Sequence, residues 1–198
     1  MITDVMACLL YRELFPSSKC LFMYRDVVPV AKSLYRLSMV VPTLRLCYLL
    51  GYFSGQVTKA IVSTVGIVGS DYCVRLDNDL TAGVLLYAVT TSVYVDMRRR
   101  GFDVSALRYE DLVERPLDMC RVLMEFCGLP LSLAELAVKA FDVDSHRNAA
   151  SAESVLRRFE EPQMTLQKKV KLNELLKKFG LPLIGEPGVV EGTISCSR

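Results

Sequence analysis

The sequence predicts an α/β protein with a parallel sheet and more helices than strands. Two short apolar runs, Lys19 to Arg25 and Val104 to Tyr109, are each followed by a helical pattern, and a long helix precedes the second run. The 198 residues are 52% hydrophobic with a mean hydropathy of +0.30. This composition indicates elements buried on more than one side, and the length fits a single domain, 1–198.

The N-terminal elements follow from apolar spacing and from prolines. Ile2 to Phe15 is apolar around most of a helical wheel and is stopped by Pro16, which predicts a short buried helix. Lys19 to Arg25, "KCLFMYR", has the length and composition of an interior parallel strand. Val28 to Met39 is predicted as a helix, because Pro29 falls in the first turn, where a missing N–H is tolerated.

Residues 40–79 are predicted as an insertion or mobile loop holding one or two short helices, because four glycines interrupt its apolar residues. Leu80 to Arg100 is predicted as a long helix that ends in "MRRRG". Three arginines before Gly101 suit the negative end of a helix dipole.

The later elements begin with Val104 to Tyr109, "VSALRY", which is the second predicted strand. Pro116 opens a helix that runs to Phe126 and is closed by "CGLP". The remaining predicted helices are Ser132–Phe141, Glu153–Phe159 and the amphipathic Leu166–Phe179. Residues 181–198 are rich in glycine and are predicted to form a loose tail.

Composition narrows the classes of function. A net charge of +2 gives no reason to expect a nucleic-acid partner. The seven scattered cysteines form no CxxC pair, and with one histidine in the chain they predict packing residues, no metal site and a reducing, cytoplasmic compartment. The cysteines are Cys8, Cys20, Cys47, Cys73, Cys120, Cys127 and Cys196.

The apolar segments are too short to predict a membrane span, which needs roughly 18 largely uncharged residues. Charged residues bound each candidate: Leu46–Thr58, Ala60–Ser70 and Leu80–Val95. A membrane-associated helical protein is the alternative to a core of buried helices. The basic helix "LQKKVKLNELLKKF" likewise allows a membrane-surface helix beside the favoured solvated lysine face.

Arg25 and Ser33 flank the first strand-to-helix junction, "MYRDVVPVAKSLYRLS". Ligands of open α/β sheets bind at the carboxyl ends of strands. A guanidinium and a hydroxyl at that edge are suited to bind a phosphate. The alternative is that Arg25 and Asp26 form a turn and that the serine is solvated, with no ligand bound. The second strand also ends in a polar cluster, "RYEDL", where Tyr109 either lies against a base or closes the core.

These two junctions resemble sulfotransferases that use 3'-phosphoadenosine 5'-phosphosulfate (PAPS). "MYRDVVPVAKSLYR" is similar to the family's 3'-phosphate-binding segment, and "LRYEDLVERPLDMCRVLMEFCGLP" is similar to its later strand and helix. The resemblance covers roughly residues 19 to 140. It implies a three-layer parallel sheet of P-loop NTPase type, with PAPS or its product PAP as the ligand and no metal. Arg25 and Ser33 would then bind the 3'-phosphate, and Tyr109 would approach the adenine.

The resemblance also implies transfer of a sulfuryl group to a hydroxyl or amine of a small-molecule or carbohydrate acceptor. The family's loop for the 5'-phosphosulfate has no counterpart before Lys19, and neither Glu13 nor His146 is a convincing base. The family also has a late basic element that contacts the 3'-phosphate, and the candidates for it here, chosen by charge alone, are Arg147, Arg157 and Arg158. We therefore expect an N-terminally incomplete, weakly active or inactive sulfotransferase, which would belong in the Golgi lumen if an anchor precedes it.

Three other readings stay open. A non-catalytic α/β interaction domain derived from the same fold would have kept the core without the chemistry. A small-molecule kinase is less favoured, because neither a Walker lysine nor a magnesium-binding carboxylate at a strand end is legible. The third is the membrane-associated helical protein.

Overall fold

The computed structural model of the chain describes residues 14, 17–53, 75–76, 79–140 and 160–195. These residues form an α/β structure that is rich in helix and contains a parallel sheet, as the sequence predicts. The described elements are β1 (Cys20–Tyr24), α1 (Val27–Val40), α2 (Pro42–Phe53), α3 (Thr81–Arg99), β2 (Val104–Arg108), α4 (Tyr109–Glu114), α5 (Pro116–Cys127), α6 (Leu133–Lys139) and α7 (Leu166–Lys178).

The sheet of the described residues has two strands, which run parallel in a register that pairs Cys20 with Val104 and Tyr24 with Arg108. Their apolar composition suits strands packed against helices. Leu21 and Met23 are nevertheless exposed on one face of β1, and no described strand pairs with its outer edge. The predicted strand Lys19–Arg25 therefore forms, and no other strand of the described residues covers its outer edge.

Helix α3 forms the centre of the core because it is apolar on most sides. Val84, Leu85, Ala88 and Val89 are buried among residues of α1 and α7. Gly83 allows α1 to approach closely, since a Cβ placed there would lie 2.3 Å from the Ala31 Cα. This packing fixes the N-terminal part of α1 beside the carboxyl end of β1.

A second cluster joins the other face of β1 to the later part of α3. Phe22 stacks on Tyr94 with the ring centroids 4.9 Å apart, and Tyr24, Val93 and Met97 are buried with them. A third cluster, around Leu107 and Met119, packs β2 against helices α4, α5 and α6.

The segment after α7 packs along the outer edge of β2. The Ala106 N–H donates to the Gly192 carbonyl at 2.9 Å, and the Ile194 N–H donates to the Ala106 carbonyl at 2.8 Å. The Tyr94 hydroxyl donates to the Glu191 carbonyl at 2.6 Å. Residues 181–195, expected to be loose, therefore make specific contacts with the sheet and with α3.

The boundaries of the predicted elements differ from the observed ones by at most two residues where both are defined. Within the predicted insertion 40–79, Pro42–Phe53 forms α2, while residues 54–74, 77 and 78 lie outside the described residues. The predicted helix Glu153–Phe159 also lies outside them, as does Ile2–Phe15 apart from the helical residue Leu14. The described residues form two parallel strands, and the three-layer sheet of P-loop NTPase type stays a prediction.

Candidate functional site

The carboxyl ends of β1 and β2 meet at one edge of the sheet, because the strands are parallel and Tyr24 pairs with Arg108. Arg25 follows β1 directly, and Tyr109 follows β2 directly. The structure therefore brings together the two polar junctions that the sequence singles out.

Arg25 lies over the ring of Tyr109, with its guanidinium carbon 4.9 Å from the ring centroid. This is the geometry of a cation–π contact. The Arg25 Nε also lies 3.4 Å from Oε1 of Glu110, although the Arg25 side chain stays 49% exposed. Tyr109 is 38% exposed. Arg25 is thus a solvent-accessible cation whose position is set by two residues of the neighbouring junction.

Arg108 and Asp26 form a bidentate ion pair across the same edge. Arg108 Nη2 donates to both oxygens of Asp26 at 2.9 Å, and its Nε donates to Oδ1 at 3.1 Å. Burial opposes the charged form of Arg108, but the hydrogen bond and charge of Asp26 raise its pKa, with Asp111 and Glu110 adding to the effect. Arg108 therefore stays charged and ties the two strand ends together.

This ion pair changes how α1 begins. Asp26 occupies the N-cap position of α1, where an aspartate commonly accepts a backbone N–H of the first turn. Its side chain makes no such bond here, because its carboxylate is bound to Arg108. The positive end of the α1 dipole is therefore not neutralised by its own cap.

Glu110 lies between these pairs. Its Oε1 accepts the backbone N–H of Asp26 at 3.1 Å. Its Oε2 is buried without a hydrogen-bond partner and lies 3.8 Å from Nε of Arg108. The side chain is 18% exposed. The carboxylate thus faces both arginines, yet one of its oxygens is poorly satisfied.

Ser33 lies on the exposed surface of α1. Among the described residues, its hydroxyl has no hydrogen-bond partner and no contact joins it to Arg25. Arg25 and Tyr109 are in contact, and the roles of Arg25, Ser33 and Tyr109 in binding a nucleotide stay predictions. Glu13, His146, Arg147, Arg157 and Arg158 lie outside the described residues.

A cleft of about 380 Å³ adjoins this edge, between the N-terminus of α1 and the loop formed by residues 182–188. It is lined by Asp26, Val27, Val28, Pro29, Tyr87 and residues 182–188. Tyr87, which is 6% exposed, closes the cleft from α3, and burial raises its pKa to about 12. Glu186 is turned toward its own loop, where it accepts the Leu183 N–H at 2.9 Å.

The site can hold an anion at Arg25, but most of its charge is already balanced internally. Its two guanidiniums, Arg25 and Arg108, face the carboxylates of Asp26, Glu110 and Asp111. The described residues contain no group of three or more potential metal ligands. Sequence reasoning located the edge and Arg25, but missed Arg108 and Glu110, although both stand in the quoted "RYEDL" junction.

Comparison with known proteins finds no match to a family model, to a curated protein or to a solved structure. Among the helices of the described residues, none is long and apolar enough to cross a bilayer.

Proposed function

We propose that the carboxyl edge of the β1–β2 sheet binds the 3'-phosphoadenosine part of PAPS or PAP. The contact between Arg25 and Tyr109 supports this proposal most directly. It places an exposed guanidinium beside an aromatic ring at the ends of adjacent parallel strands. A guanidinium matches a phosphate by charge and geometry, and an aromatic side chain offers a surface to a base.

The neighbouring cleft adds room for such a ligand. Its volume of about 380 Å³ falls within the usual range for small-molecule sites, roughly 300 to 1,000 Å³. Val27 and Val28 give it apolar walls at the beginning of α1, where the helix dipole favours negative charge. The exposed position of Ser33 leaves its hydroxyl accessible for the predicted second contact with the phosphate.

In the proposed reaction, the bond between the sulfur of PAPS and its bridging phosphate oxygen breaks, and the acceptor hydroxyl or amine forms the new bond to sulfur. The acceptor gives up a proton, and PAP is the other product. Arg25 acts in this scheme by holding the nucleotide. We expect the 198 residues alone to transfer sulfuryl groups weakly or not at all, because no segment before Lys19 resembles the loop that binds the 5'-phosphosulfate in PAPS-dependent sulfotransferases.

Calorimetric titration of the full chain with PAP and with adenosine 5'-monophosphate tests the binding. PAP should bind more tightly because it carries the additional 3'-phosphate. Arg25→Ala should weaken PAP binding about tenfold or more, since a hydrogen bond to a charged group contributes about 1.5–3 kcal/mol. Arg99→Ala is the matched control, because Arg99 is exposed at the end of α3, away from this edge. Equal losses in both variants, or equal affinities for the two nucleotides, would contradict the proposal.

A non-catalytic α/β interaction domain is the second candidate. The mutual pairing of charged side chains at this edge favours it, above all the bidentate contact of Arg108 with Asp26, since such pairs also serve to join strand ends. It predicts that neither nucleotide binds and that Arg25→Ala leaves the titration unchanged. The same experiment therefore separates the two candidates.

A further inference from the structure

Glu110 occupies the place where a ligand oxyanion would meet Arg25. Its Oε1 accepts the Asp26 N–H at 3.1 Å and lies 3.4 Å from the Arg25 Nε. A backbone N–H at the beginning of a helix, together with a guanidinium, is a common way to bind a phosphate or carboxylate. The Glu110 carboxylate thus fills an oxyanion subsite built from Arg25 and the N-terminus of α1.

Glu110 satisfies this subsite incompletely. Its second oxygen, Oε2, is buried and has no hydrogen-bond partner, and the 3.8 Å to the Arg108 Nε is too long for one. The donors of Arg108 that could reach it are directed instead to Asp26. A buried oxygen without a hydrogen bond is unfavourable, so a ligand that brings more negative charge to Arg25 has room to compete.

We infer that Glu110 is a specificity-determining residue of this subsite, because its carboxylate competes with the ligand for Arg25 and the Asp26 N–H. A ligand oxyanion that uses the Asp26 N–H and the Arg25 Nε must displace Oε1 of Glu110, because that oxygen already accepts the N–H and faces the Nε. A dianionic phosphate monoester displaces the carboxylate, whereas a monoanionic sulfate ester or carboxylate binds too weakly to do so. The inference rests on the proposed function insofar as the phosphate is the 3'-phosphate of PAP.

Removing the charge of Glu110 tests the competition. Glu110→Gln keeps an oxygen that can accept the Asp26 N–H but removes the negative charge beside Arg25. We expect PAP to bind this variant about tenfold more tightly than the unmodified chain at the same ionic strength, and the monoanion acetate to become a detectable competitor of PAP. Glu125→Gln is the matched control. It makes the same substitution at an exposed residue near the end of α5, outside the candidate site, and the affinity for PAP should stay within about threefold.

The possible results distinguish a failure of the inference from a failure of the proposed function. If the unmodified chain binds PAP through Arg25 and Glu110→Gln binds no more tightly, the competition is excluded while the proposed function stands. If PAP does not bind but Glu110→Gln gains affinity for inorganic phosphate, the subsite stands and the proposed ligand falls. Equal gains in Glu110→Gln and Glu125→Gln would assign the effect to overall charge and overturn the inference, as would the absence of binding throughout.

A second variant tests the inference if Glu110→Gln does not fold. If Glu110→Gln lacks a cooperative unfolding transition, Glu110→Asp replaces it. The shorter side chain keeps the charge but withdraws the carboxylate from Arg25 by one methylene. We expect this variant to bind PAP about three times more tightly than the unmodified chain, because Coulomb repulsion of the phosphate falls with distance. Unchanged or weaker binding would overturn the inference.

Discussion

Arg108 holds Asp26 through hydrogen bonds of 2.9, 2.9 and 3.1 Å, although 82 residues separate them in the chain. The pair joins the ends of the two strands at the edge where Arg25 and Tyr109 meet. It takes the N-cap side chain of α1 away from its usual role. The ion pair therefore fixes the geometry of the candidate site and leaves the first turn of α1 without a hydrogen bond from its own N-cap side chain.

Arg108→Ala should lower the free energy of unfolding by about 2 kcal/mol. The substitution removes charge-assisted hydrogen bonds, which contribute about 1.5–3 kcal/mol, and leaves the carboxylate of Asp26 without its partner. Chemical denaturation monitored by circular dichroism measures this loss. Because the two strand ends are then joined less firmly, PAP binding should weaken in parallel.

Arg121→Ala provides the control for that experiment. Arg121 lies 3.9 Å from Asp118 on the surface of α5, and both side chains are more than half exposed. Exposed pairs of this kind contribute at most about 1 kcal/mol and often nothing measurable. A loss in Arg121→Ala as large as that in Arg108→Ala would show that the strand-end pair has no special role.

The sequence predicts the two strands and their helices because both carry local signals. Apolar runs of strand length are followed by Pro29 or Pro116 at the beginning of a helix. Parallel strands align their carboxyl ends, so Arg25 and Tyr109 could be assigned to one edge. The pairing of Arg108 with Asp26 depends on register and on side-chain direction, which periodicity does not specify.

The C-terminal segment is harder to predict from the sequence, which indicates a loose tail. Its glycines and prolines are typical of a flexible tail, but long-range hydrogen bonds decide its position. Tyr94 donates to the carbonyl of Glu191, and Tyr24 lies within 2.9 Å of the Thr193 hydroxyl. These partners are 97 and 169 residues apart in the chain, a separation that local sequence patterns do not report.

Gly83→Ala should destabilise the protein by about 3 kcal/mol. The added Cβ would lie 2.3 Å from the Ala31 Cα and 2.9 Å from its Cβ, so α1 and α3 would have to separate. Gly101→Ala is the control, since its Cβ meets nothing within 4 Å and its φ of +78° costs only about 1–2 kcal/mol. Thermal and urea unfolding of both variants measure the difference. A smaller loss in Gly83→Ala than in Gly101→Ala would contradict this packing.

The free energy of unfolding should fall in alkaline solution because of Tyr87. Burial raises the pKa of its phenol from 10.0 to about 12, with nearby Tyr24, Asp26 and Glu110 adding to the shift. Above pH 10 the unfolded chain releases the phenolic proton while the folded chain retains it. The stabilisation is therefore complete below pH 10 and is lost as the pH rises toward 12.

The expected slope from this one group is at most about 1.4 kcal/mol per pH unit. Urea unfolding curves across this range should show a shallower decline for Tyr87→Phe than for the unmodified chain. Below about pH 9 the two proteins should show the same dependence on pH, since the tyrosine is then neutral in both states. Parallel declines above pH 10 would contradict the assignment to Tyr87.

Tyr94→Phe should loosen the C-terminal segment without unfolding the core. The change removes the hydrogen bond of 2.6 Å to the Glu191 carbonyl, worth about 1 kcal/mol, and leaves the buried ring in place. Amide hydrogen exchange at Ala106 and Ile194 should therefore quicken about fivefold, because these amides bond across the same contact. Amides in the middle of α3 should keep their rates. Tyr35→Phe is the matched control, since the Tyr35 hydroxyl bonds to no described residue. Equal acceleration throughout the chain would indicate global destabilisation and refute a locally anchored segment.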